Sequence, residues 1–179
     1  MKPPQILKQN GREIMLSTML KTTVSVVLLT SAMTSFAGSL DVSKSVTVNA
    51  SPETTWKMIG NFNHLDVWHP VVVGSKLVSG NYQEDGAVRL LTLGNGATIT
   101  EKLQDYNLEG RSYTYAITES PLPIANYVST ISVSSSNGKT KVTWSSSFDA
   151  NGATDEEAIN TISGIYDAGL SSLDKHFNQ

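Results

Sequence analysis

Residues 86–105 constrain the fold of this chain more than any other stretch, because two neighbouring apolar runs each carry one charge on the apolar side. In residues 97–105, a period of two puts Ile99, Glu101 and Leu103 on one face and Thr98, Thr100, Lys102 and Gln104 on the other. In residues 86–93, Arg89 shares a face with Ala87, Leu91 and Leu93. Between the runs stands Gly94-Asn95-Gly96, a turn signal. A loop of those three residues sets Leu93 opposite Ala97. Four residues back along each strand, it sets Arg89 opposite Glu101. A charged pair on an apolar sheet face is costly to bury. Two placements answer that cost: a wet or ligand-holding cavity, or a sheet edge where both side chains reach solvent. The pattern alone does not separate them.

The N-terminal segment points to export. Lys21 precedes a short apolar run, Thr22–Leu29, and Ser35-Phe36-Ala37 offers small residues at the two positions a signal peptidase reads. Cleavage is expected after Ala37. The run is short and interrupted by Thr and Ser, so it suits a leader better than a membrane span. Residues 1–14 do not resemble a leader's basic start, and Met15 or Met19 is a more natural first residue. Residues 1–37 are therefore set apart as leader, and 38–179 form a single domain of 142 residues, enough for one core without staples.

Removing the leader takes away four basic residues and one acid, so the formal charge moves from −3 to −6. A mildly acidic domain without basic clusters argues against nucleic acid and against anionic membrane surfaces. The chain has no Cys. That excludes disulfides, thiolate catalysis, Cys-based metal sites and a lipid-attachment cysteine.

Elsewhere the chain alternates in the same way. Val42, Lys44, Val46 and Val48 mark a first strand. Ser51-Pro52-Glu53 caps and opens a short helix carrying Trp56, Met58 and Ile59. Residues 62–66 suit a second helical turn, and Trp68-His69-Pro70 leads into an extended run to Val78. A strand is expected over 111–118, with Tyr113, Tyr115 and Ile117 on one face. Ser120-Pro121-Leu122-Pro123 ends it. Residues 126–134 and 140–148 form a hairpin about Asn137-Gly138, with Val142, Trp144, Ser146 and Phe148 on one face. Thr154-Asp155-Glu156-Glu157 is a capping box. Ala158, Ile162, Ile165, Tyr166, Gly169, Leu170, Leu173 and Phe177 then follow helical spacing. Strands in runs with helices segregated from them imply an antiparallel α+β fold. Gly164 and Gly169 in the long helix fit either a space between helix and sheet or simple close packing.

Taken together, these segments resemble the START-type (SRPBCC) ligand-binding superfamily, in its polyketide cyclase/dehydrase and lipid-transport branch. The resemblance runs from about Leu40 to Phe177. Ala50-Ser51-Pro52-Glu53 with Trp56, Trp68-His69-Pro70, residues 86–89 and residues 100–103 carry it. So do Ser120-Pro121-Leu122-Pro123 with Asn126-Tyr127, Val142-Thr143-Trp144 and residues 166–170. It implies a helix-grip: a curved antiparallel sheet of about seven strands around a long C-terminal helix, with two short helices and an internal cavity. It also implies that Arg89 and Glu101 line that cavity. Gly94-Asn95-Gly96-Ala97 and Leu122-Pro123 fall where plant hormone receptors of the superfamily carry a gate and a latch. Neither motif is present here, so hormone sensing does not carry over.

Glu101 is the only acid–base candidate with an argument behind it, and a neighbouring arginine makes it better at orienting a polar group than at abstracting protons. The expected lining is Trp68, Arg89, Leu91, Glu101, Leu103, Tyr115, Ile117, Tyr127, Trp144, Ser146, Phe148, Ile162 and Tyr166. No metal or cofactor is expected. His64, Asp66 and His69 match no defensible metal spacing, and His176 lies far away. No serine sits in a nucleophile elbow. The sequence reading is an exported, periplasmic carrier or sensor of a small hydrophobic or lipid-like molecule, without stable membrane insertion of the mature chain. Two alternatives remain: a cyclase- or dehydratase-like enzyme using Glu101, and an accessory protein of a periplasmic oxidation system that contacts an exported partner.

Overall fold

A computed structural model describes residues 39–136 and 138–179. The leader, with its expected cleavage after Ala37, and Asn137 lie outside the described residues. Seven strands form one antiparallel sheet: β1 (Leu40–Val48), β2 (Val72–Ser79), β3 (Val88–Leu93), β4 (Thr98–Asn107), β5 (Ser112–Glu119), β6 (Ile124–Ser136) and β7 (Lys139–Ala150). Their spatial order is β1-β7-β6-β5-β4-β3-β2, so β1 and β2 are the edges. Two short helices, α1 (Pro52–Ile59) and α2 (Leu65–Trp68), carry the chain from one edge to the other. The long helix α3 (Asp155–Asn178) lies against β1 and β7. This is the α+β helix-grip expected from the sequence. The second helix forms three residues later than the pattern suggests.

Local chemistry accounts for the helix starts. The Ser51 hydroxyl accepts the Thr54 amide, with Pro52 in the first turn. At α3 the Thr154 hydroxyl accepts the Glu157 amide at 3.3 Å, and Glu157 Oε2 accepts the Thr154 amide at 2.9 Å. The inner face of the helix then buries Ala158, Ile162, Tyr166, Gly169, Leu170 and Leu173.

The two glycines of α3 divide the expectations between them. Gly164 is exposed, and a Cβ there would meet nothing. Gly169 is buried, and a Cβ there would lie 2.7 Å from His69 Cδ2 and 2.9 Å from Trp144 Cζ3. At Gly169 the reason is close packing, not a gap between helix and sheet.

The sheet bends where its ladders slip. β6 places two residues opposite one of β7 between Ala125 and Val128, with Asn126 in the left-handed region at φ 53°. On its other side β6 stops pairing with β5 beyond Ala116–Val128. β5 continues alongside β4 as far as Glu119, while Ile124 and Ala125 continue alongside β7. The sheet therefore splits between the end of β5 and the start of β6.

Candidate functional site

The Gly94-Asn95-Gly96 loop closes as the sequence predicts. Leu93 N donates to Ala97 O at 2.8 Å, and the register that follows pairs Arg89 with Glu101. On its other side Glu101 pairs with Ile117 of β5. This row of three, Arg89, Glu101 and Ile117, ends where β5 and β6 separate.

Arg89 is fully buried and Glu101 is 4% exposed, so the solvent-edge placement is ruled out. Arg89 Nε donates to Glu101 Oε2 at 2.6 Å. Nη2 is equally close to the same oxygen but off the hydrogen-bond line, so it contributes charge contact rather than a second bond. Arg89 Nη1 donates to the Phe62 carbonyl. The guanidinium carbon lies 4.1 Å from the centre of the Phe62 ring and 5.3 Å from that of Tyr115. Burial is the largest influence on Arg89 and disfavours its charge, but Glu101, Tyr113 and Tyr115 together outweigh it, so its pKa is raised. For Glu101, burial pushes the carboxyl up and Arg89 pulls it back, with burial the larger. Neutralising Glu101 would strand the arginine in the core, so the two charges hold each other.

Beside this pair, between α3 and the sheet, is a cavity of about 60 Å³. Its lining is almost entirely apolar, apart from the Glu101 carboxylate, the His69 ring and the aromatic residues Tyr115, Tyr127 and Trp144. Both carboxylate contacts made by Arg89 go to Oε2, and no hydrogen bond to Oε1 is found among the described residues, where the fully buried unpartnered side-chain atoms are Trp68 Nε1, Arg89 Nη2, Tyr113 OH and Ser146 Oγ. Of the residues expected from the sequence, Leu91, Glu101, Tyr115, Ile117, Tyr127, Trp144 and Ile162 line the cavity. Trp68, Arg89, Leu103, Ser146, Phe148 and Tyr166 do not. They are packed behind it as core. Arg89 acts through Glu101 and not on the cavity itself.

The lining also includes Leu65, His69, Val71, Val72, Leu93, Ile99, Leu122 and Ile165, which the sequence reading did not assign. Ile99 shares the face of Glu101, so the same alternation marks it. Val71, Leu93, Ile117, Leu122 and Ile165 are the lining residues that retain exposure. His69 is held in one orientation. Its Nε2–H donates to Ile165 O of α3 at 3.0 Å, and Nδ1 accepts the Val71 amide at 3.3 Å. That pattern requires a neutral ring, and burial accordingly pushes its pKa down. With both nitrogens used, His69 is no metal ligand, and no cluster of metal-ligating residues occurs among the described residues.

A hydroxyl network lies in and behind the cavity wall. Trp144 Nε1 lies 3.0 Å from both Tyr115 OH and Ser129 Oγ. Tyr166 OH lies 2.9 Å from Ser129 Oγ and 2.6 Å from Tyr127 OH. The Trp144 and Tyr166 rings stack with centroids 4.3 Å apart. Burial lifts the Tyr166 phenol to about 12, and those of Tyr115 and Tyr127 well above their ordinary value. None of the three is an acid–base group near neutral pH.

Outside, the split between β5 and β6 forms an open groove of about 480 Å³. Ile117 and Tyr127 line both this groove and the inner cavity, and so form the wall between them.

The family model described as polyketide cyclase / dehydrase and lipid transport matches residues 39–178. Among solved structures, the protein XoxI from Bacillus cereus is 39% identical, with a TM-score of 0.73, over 78% of this chain and 96% of its own. An uncharacterised protein from Bacillus thuringiensis is 38% identical, with a TM-score of 0.72, over 78% of this chain and all of its own. Ginseng major latex-like protein 151 from Panax ginseng shares the fold at 16% identity, with a TM-score of 0.65, over 77% of this chain and 97% of its own. A search of curated proteins finds no match.

Proposed function

The chain belongs to the polyketide cyclase/dehydrase and lipid-transport family, and we propose that it works as a binding protein for a small hydrophobic molecule. One observation carries this reading: the apolar cavity under α3 has the Glu101 carboxyl group in its wall, with one oxygen held by Arg89 and no hydrogen bond to the other among the described residues. A carboxylate oxygen that borders an apolar space and has no protein donor offers an acceptor to an occupant of that space.

The size of the cavity limits the occupant. About 60 Å³ holds a few waters or the head of a small molecule, well below the several hundred Å³ typical of drug-sized ligands. A lipid-sized cargo would require the wall of Ile117 and Tyr127 to open into the outer groove. Native mass spectrometry of protein purified from its own host tests the reading. A co-purified small mass is expected, and an empty protein that also takes up no apolar probe would refute it.

Acid–base catalysis by Glu101 is less well supported. The arginine contact on Oε2 works against the rise that burial gives the carboxyl, and the tyrosines around it stay protonated. Export is part of the proposal and rests on Lys21, the Thr22–Leu29 run and Ser35-Phe36-Ala37. N-terminal sequencing of protein from the extracytoplasmic fraction should begin at Gly38. An intact leader there would contradict it. Among the described residues no helix is long and apolar enough to cross a membrane.

A further inference from the structure

We propose that this cavity selects a neutral hydroxyl-bearing ligand, an alcohol or phenol, over a carboxylate or an amine, an inference that rests on the binding function above. The argument begins with charge. Arg89 and Glu101 form a closed pair at 2.6 Å, both buried, with no net charge between them. Any further charge brought into the apolar lining has no counter-ion left. A carboxylate meets the free carboxylate oxygen of Glu101 and cannot reach Arg89. The guanidinium is already held by Glu101, by the Phe62 carbonyl and by two ring faces, and it does not line the cavity. An ammonium meets Glu101, but the charge of Glu101 is already matched by Arg89, so the cation's own desolvation goes uncompensated.

Hydrogen bonding then picks among neutral groups. Glu101 Oε1 can only accept, so the ligand must donate. A hydroxyl supplies that donor without bringing a charge into the apolar lining. A ketone or ether supplies no donor and leaves Oε1 unpaired. Sites built to hydrogen-bond a hydroxyl reject analogues lacking it far more strongly than apolar pockets reject an extra methylene.

The test is a methyl-detected NMR titration of the wild-type domain with three probes of equal chain length: hexan-1-ol, hexylamine and hexanoate. The hydroxyl is expected at Glu101, with the tail toward Val71, Leu93 and Leu122, which retain exposure. Hexan-1-ol should bind at least about tenfold more tightly than either charged probe, with shifts centred on Leu91, Ile117 and Ile162. Hexanoate or hexylamine binding as well as hexan-1-ol would overturn this inference and leave the cavity's binding role intact. No saturable shift with any of the three overturns both. Glu101→Gln supplies a second readout, because it removes the carboxylate that repels hexanoate and leaves the arginine without its counter-ion. The preference for hexan-1-ol over hexanoate should then shrink, and an unchanged preference in the folded variant contradicts the charge argument. Should that variant fail to fold, the wild-type ranking decides alone.

Discussion

Arg89 on β3 and Glu101 on β4 face each other across the ladder with Nε 2.6 Å from Oε2, sealed from solvent on the concave side of the sheet. Each makes the burial of the other tolerable. The pair is therefore asymmetric under mutation. Glu101→Ala leaves a guanidinium in the core and should cost about 3–5 kcal/mol in urea unfolding. The double change Arg89→Met, Glu101→Leu removes both charges at similar volume and should lie close to wild type. A double variant as unstable as the single one would show that the two charges do not compensate each other.

Gly164 and Gly169 should respond oppositely to alanine. At Gly164 the added methyl meets nothing, and α3 gains helix propensity. A stabilisation of about 0.5–1 kcal/mol is expected in thermal or urea unfolding. At Gly169 the methyl would press on His69, Trp144 and Trp68, at 2.7, 2.9 and 3.1 Å. Overpacking there should cost about 1–3 kcal/mol. Equal effects at the two positions would show that α3 does not pack against the rings of Trp68, His69 and Trp144.

His69 sets a pH dependence. Burial holds its pKa below the ordinary value of 6.5, against the Ile165 carbonyl and with help from the Arg89 charge. The folded state prefers the neutral ring, and the unfolded chain binds the extra proton. The stability contribution is therefore full above about 6.5 and is lost as pH falls through the folded pKa. Melting temperature should decline on going from pH 7 to pH 5. His69→Gln should be less stable at pH 7 but flatter across that window. A wild-type profile as flat as the variant's would remove His69 as the cause.

Much of this was legible in the sequence because it depends on short-range periodicity. The Arg89–Glu101 register needed only two alternating runs and a three-residue loop, and α3 announced itself by its capping box. The resemblance to the family supplied the cavity, and the sequence reading supplied seven of its lining residues but not the rest. Val71, Leu122 and Ile165 reach it from a helix–strand turn, a proline loop and the side of α3. Their positions depend on how far the sheet curls, which bulges such as that at Asn126 decide. Phe148 and Tyr166 carry the right pattern yet lie behind the wall, because alternation gives a face and not a depth. The packing role of Gly169 required knowing that Trp68, His69 and Trp144 converge on it.

Bound mass in two proteins purified side by side from the native host tests the central claim most directly. Leu91→Phe places a larger side chain into the cavity wall, and Leu91 is 2% exposed with its side chain on the lining. Native mass spectrometry should find a small co-purified molecule on the wild type and none on Leu91→Phe, with a cooperative melt retained in the variant. The same bound mass on both folded proteins, or none on the wild type, would contradict a ligand site beneath α3.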